Sequence, residues 1–562
     1  MLLMFRILFF ACFLSLASSA QQQFYVSPAG DNAAPGTLLQ PWKTAQYALD
    51  HASAGTTIYL MGGNYHENLV VPVSGTGGAP VTLTGYAGQL AVIDGNGTSG
   101  NFLIKISNKN YITIQHLQFR GLGVNNGNAI LVDGNSASID ITNNIFSGIN
   151  FSTSETAPVT AGSSAHVIFI SGNAASAASG ITISGNVIFN CHTGESAAVE
   201  ISGNVTGYTL DHNRLFSLSH TAIGITGFRH VCLDAHLDQP RTGSISRNTI
   251  YNCFSENDNG AGILLDGITG CLVENNSVYL NSNGMIFRCS AEGQSTSSLL
   301  CRNNIIYHNI GNGISLGNIS LPSGTTQTCS IHCNTLFENN TGGNAAEMQL
   351  DVVDHSDISN NIIAGYSNTM LVRNDRENTS LAMNYNLYYS QSAPEFTWNG
   401  NLVSSFLQWQ SVSQDDSASV FINPSFVSAT GTDLHLEMNS AAIDHGDPFY
   451  AVVSSETDMD TMTRVQNGRV DIGADEYGTA VGISEMASGS SIYYYDIAHA
   501  EFVVTVSPVA GRSLAYLYDA GGNLLAVKEM KKGESTVSFN NGQYPSGIYI
   551  VKVNDASLKM SK

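Results

Sequence analysis

Residues 248–307 read NTIYNCFSENDNGAGILLDGITGCLVENNSVYLNSNGMIFRCSAEGQSTSSLLCRNNIIY, and they decide the fold. A short pattern (Asn, any residue, Ile/Leu/Val, then usually Phe or Tyr) opens at Asn248 and returns at Asn276 and Asn304. Working outward, earlier copies start at Asn143 (NNIF), Asn186 (NVIF) and Asn213 (NRLF), with a degenerate one at His116 (HLQF). Later copies start at Asn334 (NTLF), Asn361 (NIIA) and Asn386 (NLYY). Successive spacings are 27, 43, 27, 35, 28, 28, 30, 27 and 25 residues. A period this regular marks a repeat architecture, in which each unit packs on its neighbours.

The local pattern selects which repeat. Each copy is a short alternating apolar strand followed by Asn or Gly and a second strand. The second strands include AILVDG (129–134), AVEISG (198–203), AIGITG (222–227), GILLDG (262–267) and GISLG (313–317). No helix-forming stretch or leucine-rich consensus separates them. Several strands per turn, with Ile, Leu and Phe pointing inward, predict an all-β solenoid: a right-handed parallel β-helix over about residues 105–390. Coils ~4.8 Å apart, about eleven of them, give a rod of roughly 50 Å. The repeated Asn is expected at a corner, where it tolerates left-handed backbone and its amide bonds the coils above and below.

Composition agrees. Charged residues make up 12% of the 562 and glycines number 55, which suits short strands with tight corners. The net charge of −22 argues against nucleic acid as a partner. Residues 1–20 read as an export signal: Arg6, an apolar run from Ile7 to Ala17, and small residues up to Ala20. No transmembrane span is expected in the mature chain, which is read as a monomer. Eight cysteines follow (Cys191, Cys232, Cys253, Cys271, Cys289, Cys301, Cys329 and Cys333), and both buried thiols and disulfides fit them.

The ends carry a resemblance. FYVSPAGDNAAPGTLLQPWKTAQYALDHASAGTTIYLMGGNYHEN (24–68) predicts a strand, one short amphipathic helix to about Ala52 and another strand. It resembles the N-terminal cap of secreted β-helix proteins of the pectate-lyase-like superfamily, and with the repeats this resemblance covers residues 24 to about 477. The superfamily holds polysaccharide lyases, glycoside hydrolases, epimerases and non-catalytic surface proteins, so a polysaccharide partner is implied. NPSF (423–426), DLHL (433–436), AAIDHGDP (441–448) and GRVDIGADEYG (468–478) resemble the closing segment (391–477) of such proteins. Its Asp444, Asp458, Asp460, Asp471 and Asp475 would either clasp calcium or bond loop amides. After a linker at 478–490, residues 491–562 predict a small β-sandwich-like domain. Its LYDAGGNLL and SGIYIVKV resemble the C-terminal sorting domain of type IX secretion substrates of the Bacteroidetes. That implies the type IX machinery as a partner and a secreted or outer-membrane cell-surface location.

Candidate chemistry follows from absence and alternation. No lysine occurs from residue 110 to 527, which removes a lysine base from the body of the rod unless Lys105 or Lys109 serves from one end. Alternation places Leu131, Glu200, Gly224, Leu264 and Ser315 in one outward column, and Asp133, Ser202, Thr226, Asp266 and Gly317 in the next, with Arg288 beside them. The two long intervals hold insertions at about 147–166 and 228–243, and the second (FRHVCLDAHLDQPRTG) brings Arg229, His230, Asp234, His236, Asp238 and Arg241 to that face. Glu200, Asp266, Arg288, His230 and Asp234 are therefore the candidate catalytic residues. The expected function is a carbohydrate-active protein, hydrolase more than lyase, with paired carboxylates as acid and base. The alternative is a polysaccharide-binding or adhesin-like surface protein, for which Tyr385, Tyr388, Trp398 and Trp409 offer either a sugar platform or cap packing.

Overall fold

The computed structural model describes residues 22–478, except 155, 256–259, 319–322, 368, 429–432 and 454, and seven C-terminal stretches: 492–496, 501–505, 513–519, 524–531, 536–540, 548–553 and 556–561. The export signal and nearly all of the linker lie outside the described residues.

The rod is the expected right-handed parallel β-helix. Three long sheets of 15, 13 and 13 strands run along it, each built on a path of thirteen strands that pair in parallel except at one final hairpin (Glu395–Trp398 with Asn401–Val403), and two short strands, Thr325–Gln327 and Val353–Asp354, lie beside the first path. Thirteen turns at ~4.8 Å give a length of about 60 Å, slightly more than the repeat count implied. The motif strands Val187–Cys191, Arg214–Leu218, Thr249–Cys253, Ser277–Tyr279 and Ile305–Tyr307 lie in register in one sheet. The second strands Gly127–Asp133, Val199–Gly203, Ile223–Thr226, Ile263–Asp266 and Ile314–Gly317 lie in another, here called the cleft sheet.

The Asn ladder is real, with three corrections. Its first rung is Asn144, because Asn144 donates Nδ2 to Asn186 Oδ1 at 3.2 Å and the register pairs Ile145 with Val187. NNIF holds two asparagines, and a one-residue slip exchanges the faces of everything that follows. From Asn186 the ladder runs through Asn213, Asn248, Asn276, Asn304, Asn334 and Asn361 to Asn386, with Nδ2···Oδ1 distances of 2.9–3.1 Å. The left-handed residue is not the ladder Asn but the one before it: Asn143, His212, Arg247, Asn275, Asn303, Cys333, Asn360 and Tyr385 all have φ between 52° and 59°. The ladder amide accepts from the backbone N–H of the previous rung and thereby offsets that unfavourable φ.

The third correction concerns the aromatics. The third motif residue points inward (Ile188, Leu215, Ile250, Val278, Ile306), and the fourth faces out. Phe189, Phe216, Tyr251, Tyr279 and Tyr307 stack on the outer face with ring centroids 4.7–5.3 Å apart. Their faces cover one another, so this column is scaffold. All eight described cysteines are buried and unbridged.

Both ends are covered. The short helix Ala45–Asp50 packs on the strands Gln23–Val26 and Thr57–Leu60 at the start. At the far end the helix Phe406–Ser413, capped by the Ser405 hydroxyl, inserts Trp409, fully buried with Nε1 donating to Asp416 Oδ2 at 2.8 Å. Trp409 and Tyr388 are thus cap packing and not a sugar platform. The closing segment folds back over the motif sheet, where Phe426, Leu434, Leu436 and Ile472 cover Phe337 and Ala364. It is pinned there by the buried Arg302, which pairs with Glu274 at 2.8 Å and Glu456 at 2.9 Å. The described C-terminal stretches form two antiparallel sheets of three and four strands, with Phe539 in one and Leu517 and Val551 in the other buried.

Candidate functional site

The two outward columns read by alternation are the columns of the cleft sheet. Its register runs Lys105, Leu131, Phe169, Glu200, Gly224, Leu264, Ile286 and Ser315. The neighbouring column runs Asp133, Ser171, Ser202, Thr226, Asp266 and Arg288. The second strands read from the sequence do not include Ala165–Gly172, which begins at the end of the predicted insertion at 147–166, so His166, Phe169 and Ser171 were missed. Its run HVIFIS alternates in the same way and was the available signal.

At the middle of this face lies a cleft of about 550 Å³, lined by Glu195, Ser196, Ala197, Glu200, His220, Thr221, Gly224, Thr226, Arg229, Leu264 and Arg288. Gly224 provides the depth, since it stands beside Glu200 in the column with no side chain. Leu264 packs with Ala261 and Ile286 as a small apolar wall. Such a mixture of apolar wall and few convergent polar groups suits a small polar ligand or a sugar ring.

Glu200 is bound on both oxygens. His166 Nε2 meets Oε2 at 3.0 Å, and the Thr226 hydroxyl donates to Oε1 at 3.1 Å. Burial pushes its pKa up, but the contacts with His166 and Thr226 and the charge of Arg229 outweigh it, so Glu200 sits below the usual carboxylate range. It is a carboxylate at neutral pH. His220, on the opposite wall, is lowered chiefly by burial and further by Arg288, against Glu195 and Glu200. Among the described residues its Nδ1 is buried without a hydrogen-bond partner, so protonating the ring would strand a donor there and the neutral imidazole is favoured.

Asp266 is 1% exposed and fully engaged. Oδ2 accepts from Arg229 Nη2 at 2.8 Å, Arg288 Nε at 3.1 Å and the Ser290 hydroxyl at 2.6 Å, while Oδ1 accepts from Ser290 N at 2.7 Å. A carboxylate held by four donors and buried beneath two arginines positions cations, whereas Glu200 has one partner on each oxygen and lines the cleft. Among the described residues, both Nη groups of Arg288 and Nη1 and Nε of Arg229 have no protein partner, and the two side chains are 26% and 45% exposed. The arginines therefore present fixed, unused donors to the cleft.

Arg229 is delivered by the loop that follows Ile223–Thr226. Phe228 and His230, on either side of it, have φ of 57° and 60°. The buried Asp238 holds that shape, accepting from His230 N at 2.6 Å and Cys232 N at 2.9 Å. His230 and Asp234, both candidates from the sequence, are exposed and do not line the cleft. Asp234 instead accepts from His236 N at 3.0 Å, closing a local turn. The structure thus brings together Glu200, Asp266 and Arg288, adds His166, His220 and Arg229, and leaves His230 and Asp234 on the loop's outer side.

Two other features fail as rivals. Lys105 stands three turns from Glu200, about 14 Å along the column, and pairs with Asp133 at 3.3 Å. A smaller hollow of about 360 Å³ near Asn64 and Gln89 holds one cation, Arg120, already paired with Asp94 at 3.0 Å. In the closing segment Asp458, Asp471 and Asp475 are bound up with backbone: Asp458 accepts from Asp460 N and Met462 N, Asp471 from Asp444 N and Tyr477 N, and Asp475 from Leu436 N, while the Asp444 carboxylate accepts from the Asn467 side chain. This is the amide-bonding arrangement and not a calcium clasp of all five.

Fold and cleft together define a right-handed parallel β-helix protein with a charged groove on one sheet. Comparison with known proteins agrees. Residues 24–212 match the family described as Pel9A-like, right handed beta helix region. The chain is 28% identical over 439 residues to YwoF of Bacillus subtilis, described as an uncharacterized protein, a match spanning 74% of this chain and 91% of that one. A stretch of 78 residues is 45% identical to pectate lyase PEL9 of Emericella nidulans, 14% of this chain and 19% of that enzyme. The crystal structure of pectate lyase Pel9A aligns over 82% of this chain and 97% of its own, at 15% identity and a TM-score of 0.37. Among the described residues no helix is long and apolar enough to cross a membrane.

Proposed function

We propose that the chain is an exported carbohydrate-active protein that works on an acidic polysaccharide in the cleft of Glu200, Arg229 and Arg288. The observation that carries this reading is the pair of arginines fixed on one buried carboxylate, with free N–H groups turned to a cleft that also holds an ionised glutamate. A uronate carboxylate is what such a planar fork recognises best. Two guanidinium groups on that carboxylate acidify the adjacent carbon–hydrogen bond. Glu200, steadied by His166, takes the proton; the electron pair forms the carbon–carbon double bond, and the glycosidic oxygen on the next carbon leaves with the electrons of its broken C–O bond and takes a proton from water. The likeness of a short stretch to an enzyme named pectate lyase supports the same reading. The net charge of −22 opposes a polyanion at long range, and the local arginine pair is the feature that overrides it.

Hydrolysis, expected from the lysine-free rod, keeps one supporting observation. Its acid–base pair would be Glu195 and Glu200, the two carboxylates that line the cleft, because Asp266 is occupied. Hydrolysis also calls for a carboxylic acid with a raised pKa, and Glu200 is shifted the other way. The test is to incubate the mature chain with uronate-containing and neutral glycans, following reducing ends and unsaturated products together. Both signals from acidic glycans are expected. Reducing ends alone identify hydrolysis, and neither signal from any glycan leaves a binding protein. The type IX sorting reading of residues 491–562 predicts that deleting them stops delivery to the cell surface without changing the cleft.

A further inference from the structure

We propose that the glycan leaves the cleft along the rod, over the outward column that runs towards the N-terminal cap, and that Lys105 there binds the carboxylate of a second uronate. This rests on the reading of the cleft as a uronate site and extends it to the length and charge pattern of the substrate. Exposure along the column selects the direction. From Glu200 towards the N-terminus, Phe169, Leu131 and Lys105 are all half-buried, and Val70, which pairs with Lys105, is 43% exposed. In the other direction Gly224, Leu264, Ile286, Ser315 and Gln349 are all buried. Across the strands the cleft is bounded. Where the strands begin, Gly162 N donates to Glu195 Oε2 at 3.1 Å and the Ser164 and Ser196 hydroxyls lie 2.8 Å apart. Where they end stands the loop that carries Arg229.

The open part of the column has the chemistry of a sugar path. Phe169 stands one turn from Glu200 and stacks on His166, with ring centroids 4.5 Å apart and planes at 15°. Among the described residues the other face of the Phe169 ring has no aromatic or cationic partner. With Leu131 and Val70 it makes an apolar floor for the apolar faces of sugar rings. Lys105 supplies the charge. Its Nζ meets Asp133 Oδ2 at 3.3 Å, and its side chain is 34% exposed. An ammonium has three N–H donors, and among the described residues this is the only ion pair Lys105 makes. The distance that removes Lys105 as a base for the cleft is what suits it as an anchor.

The spacing also selects the polymer. Turns are ~4.8 Å apart, about the length of one pyranose unit, so Lys105 stands about three rings from the ring that meets Glu200. A run of contiguous uronates carries a carboxylate on every ring and always offers one to Lys105. A glycan whose acidic units are separated by long neutral stretches uses the arginines alone. The substrate class that fits the whole path is therefore a linear homopolymer of uronates, bound over about four rings or more.

The test titrates oligouronates of defined, increasing length into the full chain carrying Glu200→Gln, so that none is cleaved, and reads Kd by calorimetry. Affinity is expected to rise with each unit up to about four or five, the span of the open column, and then to level off. Lys105→Gln weakens the long oligomers about tenfold, the worth of one hydrogen bond to a charged group, and the loss is absent in a disaccharide too short to reach it. Asp133→Asn releases Lys105 and removes a repelling carboxylate, so it tightens the long oligomers. Arg373→Gln, at the far end of the same column beyond the buried stretch, changes no affinity. Affinity independent of length, an equal loss at every length in Lys105→Gln, or a loss in Arg373→Gln overturns this route while the cleft keeps its uronate. No binding of any oligouronate overturns the reading of the cleft and the route with it.

Discussion

Replacing Asp266 by Asn separates a positioning carboxylate from a catalytic one. The change keeps the shape and removes the charge on which Arg229, Arg288 and Ser290 converge. Breaking a fully buried pair costs ~3–5 kcal/mol, because the surviving charge is left without compensation. Here the arginine side chains are 45% and 26% exposed, so water recovers part of that. The Ser290 bonds survive in part, and a loss of about 2–3 kcal/mol is expected. Urea unfolding measures it, and a double-mutant cycle with Arg288→Gln apportions it, with a coupling of ~1–2 kcal/mol. Kinetically, loosened arginines should raise KM for acidic glycans about tenfold or more, since ~1.4 kcal/mol is a factor of ten. A stability loss under ~0.5 kcal/mol, with kcat abolished and KM unchanged, would refute the reasoning and make Asp266 an acid or base.

Asn276 donates Nδ2 to Ile245 O, Glu274 O and Asn304 Oδ1 in a fully buried position. Asn276→Ala should therefore cost about 3 kcal/mol or more in denaturant unfolding, as several buried groups lose partners together. Glu456→Gln leaves the Arg302 charge half-paired beneath the closing segment, and limited proteolysis should cut that segment faster while the rod stays folded. Glu200, Asp94 and Asp211 all have carboxyl pKa values lowered in the fold, so each adds stability above its unfolded value and loses it as pH falls through the folded one. Asp475 and Glu476 act the other way, since burial pushes them up to about 6 and about 8 and their stabilisation is lost as pH rises towards those values. Tm should accordingly drop below about pH 4 and also decline as pH rises from about 5 to 8, and a Tm that rises below pH 4 would contradict the three pairings. Burial pushes the thiols of Cys191, Cys253, Cys271 and Cys329 up to about 12, so a thiol reagent at pH 8 should label them only after unfolding.

The rod and the face that carries the cleft were legible in the sequence because both rest on strict periodicity. A turn length near 28 residues and alternation along AVEISG and GILLDG place Glu200 and Asp266 correctly with no other information. Periodicity is silent where the chain leaves it. His166 and Phe169 were missed because their strand begins inside the long interval after Asn143, where the repeat gives no anchor. His230 and Asp234 were included because a loop rich in His and Asp resembles a site, yet two left-handed residues and the buried Asp238 shape it so that Arg229, and neither of those two, lines the cleft. The roles of Glu200 and Asp266 were equally hidden: two carboxylates in neighbouring columns differ only in whether a hydroxyl and a histidine or two arginines surround them.

The most direct test of the account is a structure of Glu200→Gln with an acidic oligosaccharide bound. The account predicts one sugar carboxylate within hydrogen-bond distance of Arg288 and Arg229, its ring against Leu264 and its acidic carbon facing residue 200. An oligosaccharide bound away from these arginines, or with its carboxylate turned to solvent, would contradict it.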